Sequence, residues 1–164
     1  MVRPSYTNII QAGVIVDDVE KAVKAYADVY GMGPWYIYNV DSTVGKNMAV
    51  RGKVVGWGGK IARGVIGNVE IELIEPIDDK SIHYEYLKKY GPGIHHLMFT
   101  TDDFDRTVEW MKERGIEMVS SGELPGGIRF AYFATEDELG YVSEYAYFPP
   151  DAQWDPDSVY PAQK

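Results

Sequence analysis

An α+β fold made of two tandem βαβββ modules is what the sequence predicts, and three observations predict it. The first is self-similarity: QAGVIVDDVEKAV, beginning at Gln11, matches HLMFTTDDFDRTV, beginning at His96, so that Asp17, Asp18, Glu20, Lys21 and Val23 meet Asp102, Asp103, Asp105, Arg106 and Val108. The second is a shared grammar, in which each copy opens with an apolar extended run and continues through acidic cap residues into an apolar stripe at helical spacing. The third lies beyond each helix, where Gly and Pro divide the chain into a series of short extended segments. A duplicated unit that cannot close a core alone pairs with its twin, and the seam is where a site can form.

The elements run in order along the chain. Ile9 to Val16 is a β-branched apolar run. Asp17 with Glu20 three residues on signals a helix start, and Val19, Ala22, Val23, Tyr26, Val29 and Tyr30 recur at helical spacing until Gly31. WYIYNV, a Gly-rich section running to KIARGVIG, and VEIELIEP complete a first module over residues 6–78. Ser81 to Tyr90 reads as a linking helix stopped by Gly91-Pro92-Gly93. The second module, residues 94–149, opens with the extended run Ile94 to Thr100. Asp102 and Asp105 cap a helix striped by Phe104, Val108 and Met111 and ended by Gly115, before IEMVS, GIRFAYFAT and YVSEYAYFP. The two modules make one expected domain over residues 1–164. A Pro-rich tail over 150–164 carries Trp154 and Tyr160, which pack on the body, pack on a partner subunit, or fray.

Composition excludes several functions. A chain of 164 residues with 45% hydrophobic content is long enough to bury a core. It has no cysteine, which removes disulfides, thiolate nucleophiles and sulfur-ligated zinc. No apolar run approaches the roughly 18 residues needed to span a bilayer, and no secretion signal opens the chain. A cytoplasmic protein without a membrane or nucleic-acid partner is expected, since a net charge of -9 repels phosphate backbones. Within that acidity, Ser42 to Val69 contains no Asp or Glu but holds Lys46, Arg51, Lys53, Lys60 and Arg63. This basic strip reads first as a solvated hairpin and second as a landing surface for an anionic ligand group.

Metal-competent side chains fall at matching places in the two copies. Alternation along a strand puts Gln11 and His96 at the head of equivalent faces. The last strand of each module supplies a carboxylate among apolar neighbours, Glu72 in VEIELIEP and Glu144 in YVSEYAYFP. Glu70 shares a face with Glu72, and Glu72 is preferred because it matches the register of the other half. One imidazole, two carboxylates and one amide oxygen suit a divalent metal, whether cobalt, nickel, manganese, zinc or iron, with positions open to water or substrate. By the same alternation His95 faces away from the cluster and reads as structural or as a support behind the ligands, and His83 on the linker falls at the surface.

With GPGIHHLMF, VEIELIEP and the paired modules, the chain resembles the vicinal oxygen chelate superfamily over residues 6 to 149. That superfamily includes glyoxalase I, methylmalonyl-CoA epimerase, extradiol dioxygenases and antibiotic-resistance binding proteins. The resemblance implies a cupped, barrel-like mixed sheet with flanking helices, and metal ligands at Gln11, Glu72, His96 and Glu144. ELIEP and GIHHLMF are most similar to the methylmalonyl-CoA epimerase branch, whereas the ligand set looks like one class of glyoxalase I. Gln11 stands where extradiol dioxygenases carry a histidine, which weakens ring cleavage.

The chemistry that the resemblance implies is removal and return of a proton beside a carbonyl, as in an epimerase, racemase or isomerase. Glu144 is the expected base and Glu72 its counterpart. The additional acid that the epimerases are thought to use has no Asp or Glu to match it in residues 42 to 69, so that role is vacant or taken by another group such as Lys60. Thirteen Tyr and four Trp favour a flat ligand. Trp35, Tyr36, Tyr38, Trp57, Tyr132 and Tyr145 are the expected pocket lining, and the partner is a small carbonyl compound, either an aromatic ketone such as a dihydroisoflavone or a coenzyme A thioester. A glyoxalase-type lyase on thiol adducts and a metal-free binding protein are the alternatives, and a homodimer is expected.

Overall fold

A computed structural model describes residues 2–162 of the chain. Strand β1 (Tyr6–Ile15) leads to helix α1 (Val19–Lys24), which continues into a π-helical turn over Ala25–Val29. Strand β2 (Trp35–Val40), the hairpin β3 (Lys46–Val50) and β4 (Lys53–Val54), then β5 (Gly59–Ile66) and β6 (Val69–Pro76) complete the first half. Helix α2 (Ile82–Tyr90) crosses to β7 (Gly93–Thr101), α3 (Phe104–Glu113), β8 (Met118–Leu124) and β9 (Ile128–Phe133). A short α4 (Glu136–Leu139), β10 (Val142–Tyr147) and β11 (Ser158–Tyr160) come last.

All eleven strands join one mixed sheet in the order β11-β2-β5-β6-β1-β7-β10-β9-β8-β3-β4. The repeat is visible in that order. β1 and β7 run antiparallel at the centre, β6 lies parallel to β1, and β10 lies parallel to β7.

The expected barrel-like closure does not form. β11 and β4 stand at opposite ends of the order and no ladder joins them, so the sheet is open. The reason lies in two added pieces. The Gly-rich section forms the β3–β4 hairpin, which leaves its own half and pairs Ala49 with Ser121 and Val50 with Ser120 on β8. The tail meanwhile lays β11 along β2. Each outer edge that closure would need is therefore occupied. The sheet still bends, because the chain from Val40 to Lys46 reaches only about 20 Å while β2 and β3 would lie about 38 Å apart in a flat sheet.

Helix starts sit one residue later than expected in both copies. Asp18 accepts from the Lys21 N–H at 2.9 Å and Asp103 from the Arg106 N–H at 3.0 Å. Each has the extended backbone that a cap requires. Asp102 is occupied elsewhere, accepting from Ser5 N–H and pairing with Arg106. α1 covers one face with Val19 and Val23 over Trp35, Ala62 and Leu73, and α3 does the same with Met111 over Ala131, Phe133 and Tyr145. A third cluster, including Ile15, Trp57, Ile74, Phe130 and Tyr132, fills the opposite face.

The described part of the tail packs on the body. Trp154 packs at a tilt on Tyr38 with ring centroids 4.4 Å apart, Asp157 accepts from the Asn39 N–H, and the Tyr160 hydroxyl donates to Asp28. Residues 163 and 164 lie outside the described residues. No helix among the described residues is long and apolar enough to cross a membrane.

Candidate functional site

The central ladders bring three expected residues to one point. Gly13 on β1 pairs with His96 on one side and with Glu72 on the other, and Val142 of β10 pairs with His96, two residues before Glu144. His96 Nε2 lies 3.1 Å from Glu144 Oε2 and 3.4 Å from Glu72 Oε2. One donor atom from each of the three falls within 4.8 Å of the others, and all three residues are buried. Gly13 makes this possible, because a Cβ built there would overlap the imidazole of His96. A lone Gly inside a β-branched strand is the signal that marks such a close approach.

Gln11 joins through a brace. Its Nε2 donates to Glu70 Oε1 at 2.6 Å, and the same oxygen accepts from Arg63 Nε at 2.9 Å. Glu70 thereby fixes which way the amide points, since a carboxylate must face the NH2. Glu72, not Glu70, reaches His96. Gln11 Oε1, His96 Nε2 and Glu144 Oε2 are all buried without a hydrogen-bond partner among the described residues. Orphaned acceptors of this kind, with His96 Nε2 and Glu144 Oε2 3.1 Å apart, fit a divalent cation, which needs lone pairs and no protons.

In the metal-free protein a proton meets the same demand. Burial works against a charged His96, but Glu144 and Glu72 outweigh it and lift the imidazole to about 9. Burial, helped by Glu72 and opposed by His96, raises Glu144 above the usual carboxylate range. Tyr132, the cross-strand neighbour of Glu144, is pushed well above 10, again by burial and then by the two carboxylates.

A pocket enclosing about 570 Å³, part of it open to solvent, lies over these groups. Gln11, Glu72 and Glu144 reach it, and of the expected lining so do Trp57 and Tyr132. Tyr38 flanks it through Trp154, which lines it. The other expected contacts are placed elsewhere. Trp35 is fully buried beneath α1 and donates to the Met32 carbonyl, and Tyr145 packs beneath α3. Lys60 pairs with Glu20 at 3.0 Å on the α1 side. Tyr36 sits at the β11 edge opposite Val159, outside the lining. Three residues of the basic strip are paired with acids, Arg51 with Glu85, Lys60 with Glu20 and Arg63 with Glu70, while Lys46, Arg51 and Lys53 share the β3–β4 hairpin.

Several pocket residues went unanticipated. Arg63 lines the pocket, on the strand face that alternation assigns opposite to Lys60. His83 is 1% exposed and not at the surface, because α2 lies across β1, β6 and β7 and turns it inward against Trp57 and Tyr132. Burial, followed by the charge on His96, lowers it to about 3. His95 also departs from expectation. Gly13 pairs with His96 but Val14 pairs with Ile94, so β7 carries one extra residue, a bulge at His95. Alternation fails there, and His95 Nδ1 comes to 3.0 Å from His96 Nδ1.

Comparison with known proteins places this geometry. Curated relatives match only part of the chain: Hemolysin VllY of Vibrio vulnificus (strain CMCP6) is 34% identical over 71 residues, 43% of this chain and 20% of its own length. A 4-hydroxyphenylpyruvate dioxygenase of Pseudomonas aeruginosa is 32% identical over 73 residues, 44% of this chain. This chain spans only 20% of that protein's length too. Solved structures match more fully. A methylmalonyl-CoA epimerase in complex with methylmalonyl-CoA and NH4+ superposes with TM-score 0.69 at 22% identity, covering 92% of this chain and 100% of that one. The methylmalonyl-CoA epimerase of Mycobacterium tuberculosis gives 0.67 at 21% identity, covering 92% and 93%. The family model described as Glyoxalase/Bleomycin resistance protein/Dioxygenase superfamily matches residues 10–132, and the chain belongs to that family, the vicinal oxygen chelate superfamily.

Proposed function

We propose that this chain is a metal-dependent epimerase, racemase or isomerase that removes a proton from carbon beside a carbonyl and returns it. The observation that carries this reading is the convergence of buried Glu72, His96 and Glu144 at a largely apolar pocket, with His96 Nε2 and Glu144 Oε2 left unpartnered. These residues, with Gln11, would hold the cation. A divalent cation supplies Lewis-acid stabilisation of the charge that develops on a carbonyl oxygen, worth several kcal/mol.

The remaining work falls to the chain. Glu144 accepts the α-proton and either returns it or passes it to Glu72, its counterpart in the other module, which returns it to carbon, so that the proton removed is the one restored. Apolar walls such as Ile61, Ile74, Met98 and Phe130 lower the local dielectric, so that charges in the site act strongly on one another. Trp57, Phe130 and Tyr132 favour a flat ketone. Of the basic strip only Arg63 lines the pocket, which leaves little charge at the site itself for the phosphates of a coenzyme A thioester. The shared fold with the epimerase structures supports the class of reaction and not the substrate. A homodimer in the cytoplasm accompanies this reading.

The dioxygenase relatives suggest ring or side-chain oxidation, but one imidazole with two carboxylates inverts the two-histidine, one-carboxylate site of such iron enzymes. The test is metal analysis of the purified protein, followed by solvent deuterium exchange at the α-carbon of dihydrodaidzein and methylmalonyl-CoA. Exchange should depend on the metal and fall at least about 100-fold in Glu144→Gln. A protein that binds no divalent metal, or exchange unchanged by E144Q, overturns the proposal. Dependence on added thiol would move the chain to the lyases.

A further inference from the structure

His96 has two ring nitrogens, and the proposed site uses only one. Nε2 points at Glu144 and Glu72, at 3.1 and 3.4 Å. A neutral imidazole that offers its Nε2 lone pair to a cation must carry its proton on Nδ1, and that N–H needs an acceptor. The residue is fully buried, so water is not at hand. Its Nδ1 lies 3.0 Å from Nδ1 of His95.

That contact exists because of the β-bulge. In a regular strand His95 would face away from His96, but the extra residue in β7 rotates it back. The imidazole is then enclosed by rings, 5.1 Å from Tyr86 and 5.3 Å from His83 between centroids, which restrict its rotation. His95 is itself buried. A neutral His95 with its proton on Nε2 presents a bare Nδ1, the acceptor that His96 requires.

We propose that His95 is a positioning residue for the metal site: it accepts the Nδ1–H of His96 and so holds the His96 Nε2 lone pair toward Glu72 and Glu144. The inference rests on the metal reading above and adds the residue that selects the His96 tautomer. Histidine ligands elsewhere pass this proton to a carboxylate, a carbonyl or water, and loss of the partner costs about 10–100-fold in metal affinity. Here the partner is a second imidazole supplied by the adjacent position in the chain.

The experiment compares Ni2+ affinity by titration calorimetry in the wild type, His95→Phe and His95→Asn, with circular dichroism to confirm that each is folded. Phe keeps the ring and deletes the acceptor, so affinity should fall about 10–100-fold. Asn places its Oδ1 close to where Nδ1 stood and should recover most of the loss. The second measurement needs no substitution: 15N spectra of the metal-free wild type should show His95 protonated at Nε2 only. Full Ni2+ affinity in folded His95→Phe overturns the proposal, as does a His95 protonated at Nδ1. Failure of the underlying reading looks different, since Glu144→Gln would then leave Ni2+ binding untouched. Equal, complete loss in both His95 variants would make His95 a ligand instead, and would also overturn the inference.

Discussion

Alkaline pH should destabilise the metal-free chain and spare the metal-loaded one. The perturbation is removal of a single proton from His96, which is fully buried between Glu72 and Glu144. Burial disfavours its charge, but the two carboxylates prevail and raise its pKa from 6.5 to about 9. A folded-state value above the unfolded one contributes stability that is complete below about 6.5 and is lost as pH rises through about 9. A rise of about 2.5 pH units, at about 1.4 kcal/mol each, corresponds to about 3 kcal/mol. Glu144, raised chiefly by burial, acts in the same direction. For a chain of this size the His96 contribution lowers Tm by about 6–12 °C. A divalent cation needs neutral His96 and ionised carboxylates, so it replaces the proton and binds more tightly as pH rises. Thermal and urea melts from about pH 6 to pH 9.5, in EDTA and in saturating Ni2+, measure both limbs, with His96→Gln correcting for other titrating groups. If the EDTA slope is the same in wild type and His96→Gln, the charged triad has been misread.

Two further substitutions probe the support around the site. Gly13→Ala puts a methyl into the space of the His96 ring, so the imidazole must swing away from Glu72 and Glu144. Stability should fall by about 1–3 kcal/mol and Ni2+ affinity by more than about tenfold; melts and calorimetry check this, and unchanged affinity would refute the close-approach argument. Trp154→Ala removes the ring that packs on Tyr38 and lines the pocket. A half-buried Trp should cost about 1–2 kcal/mol with Ni2+ affinity unchanged, and a parallel loss of affinity would show that the tail supports the ligands and not only the rim.

What the sequence made legible was local or periodic. Most strand and helix bounds came from spacing within each half, and the trio Glu72, His96 and Glu144 from matching one half against the other and from the family resemblance. The caps slipped by one because each copy offers two adjacent Asp, and only backbone conformation chooses Asp18 and Asp103. The β3–β4 hairpin was illegible for a different reason: its partner, β8, is set by tertiary packing and not by any nearby residue. The placements of Lys60 and Tyr145 were within reach of the sequence. Tyr145 is adjacent to Glu144, and neighbours in a regular strand cannot both face one pocket. Lys60 and Arg63 are likewise separated by alternation, which makes Arg63 the pocket residue of the strip.

The same alternation that would have corrected Tyr145 misplaced His95, and the difference between the two cases is physical. β10 pairs with β7 in an unbroken register from Val142 to Tyr145, so its faces are strict. β7 slips against β1 between Gly13 and Val14, where Ile94 and not His95 takes the next pairing position. A His-His dipeptide reads the same with or without such a slip, since the extra residue shows only in the pairing. The one trace on the other strand is Gly13, the residue opposite the slip. It clears room for the His96 ring at the place where the bulge delivers His95 to the same ring's other nitrogen. Gly13 and the bulge thus act on opposite sides of one imidazole, and neither orients it alone: without the gap the ring cannot lie between the carboxylates, and without His95 its Nδ1 proton has no acceptor.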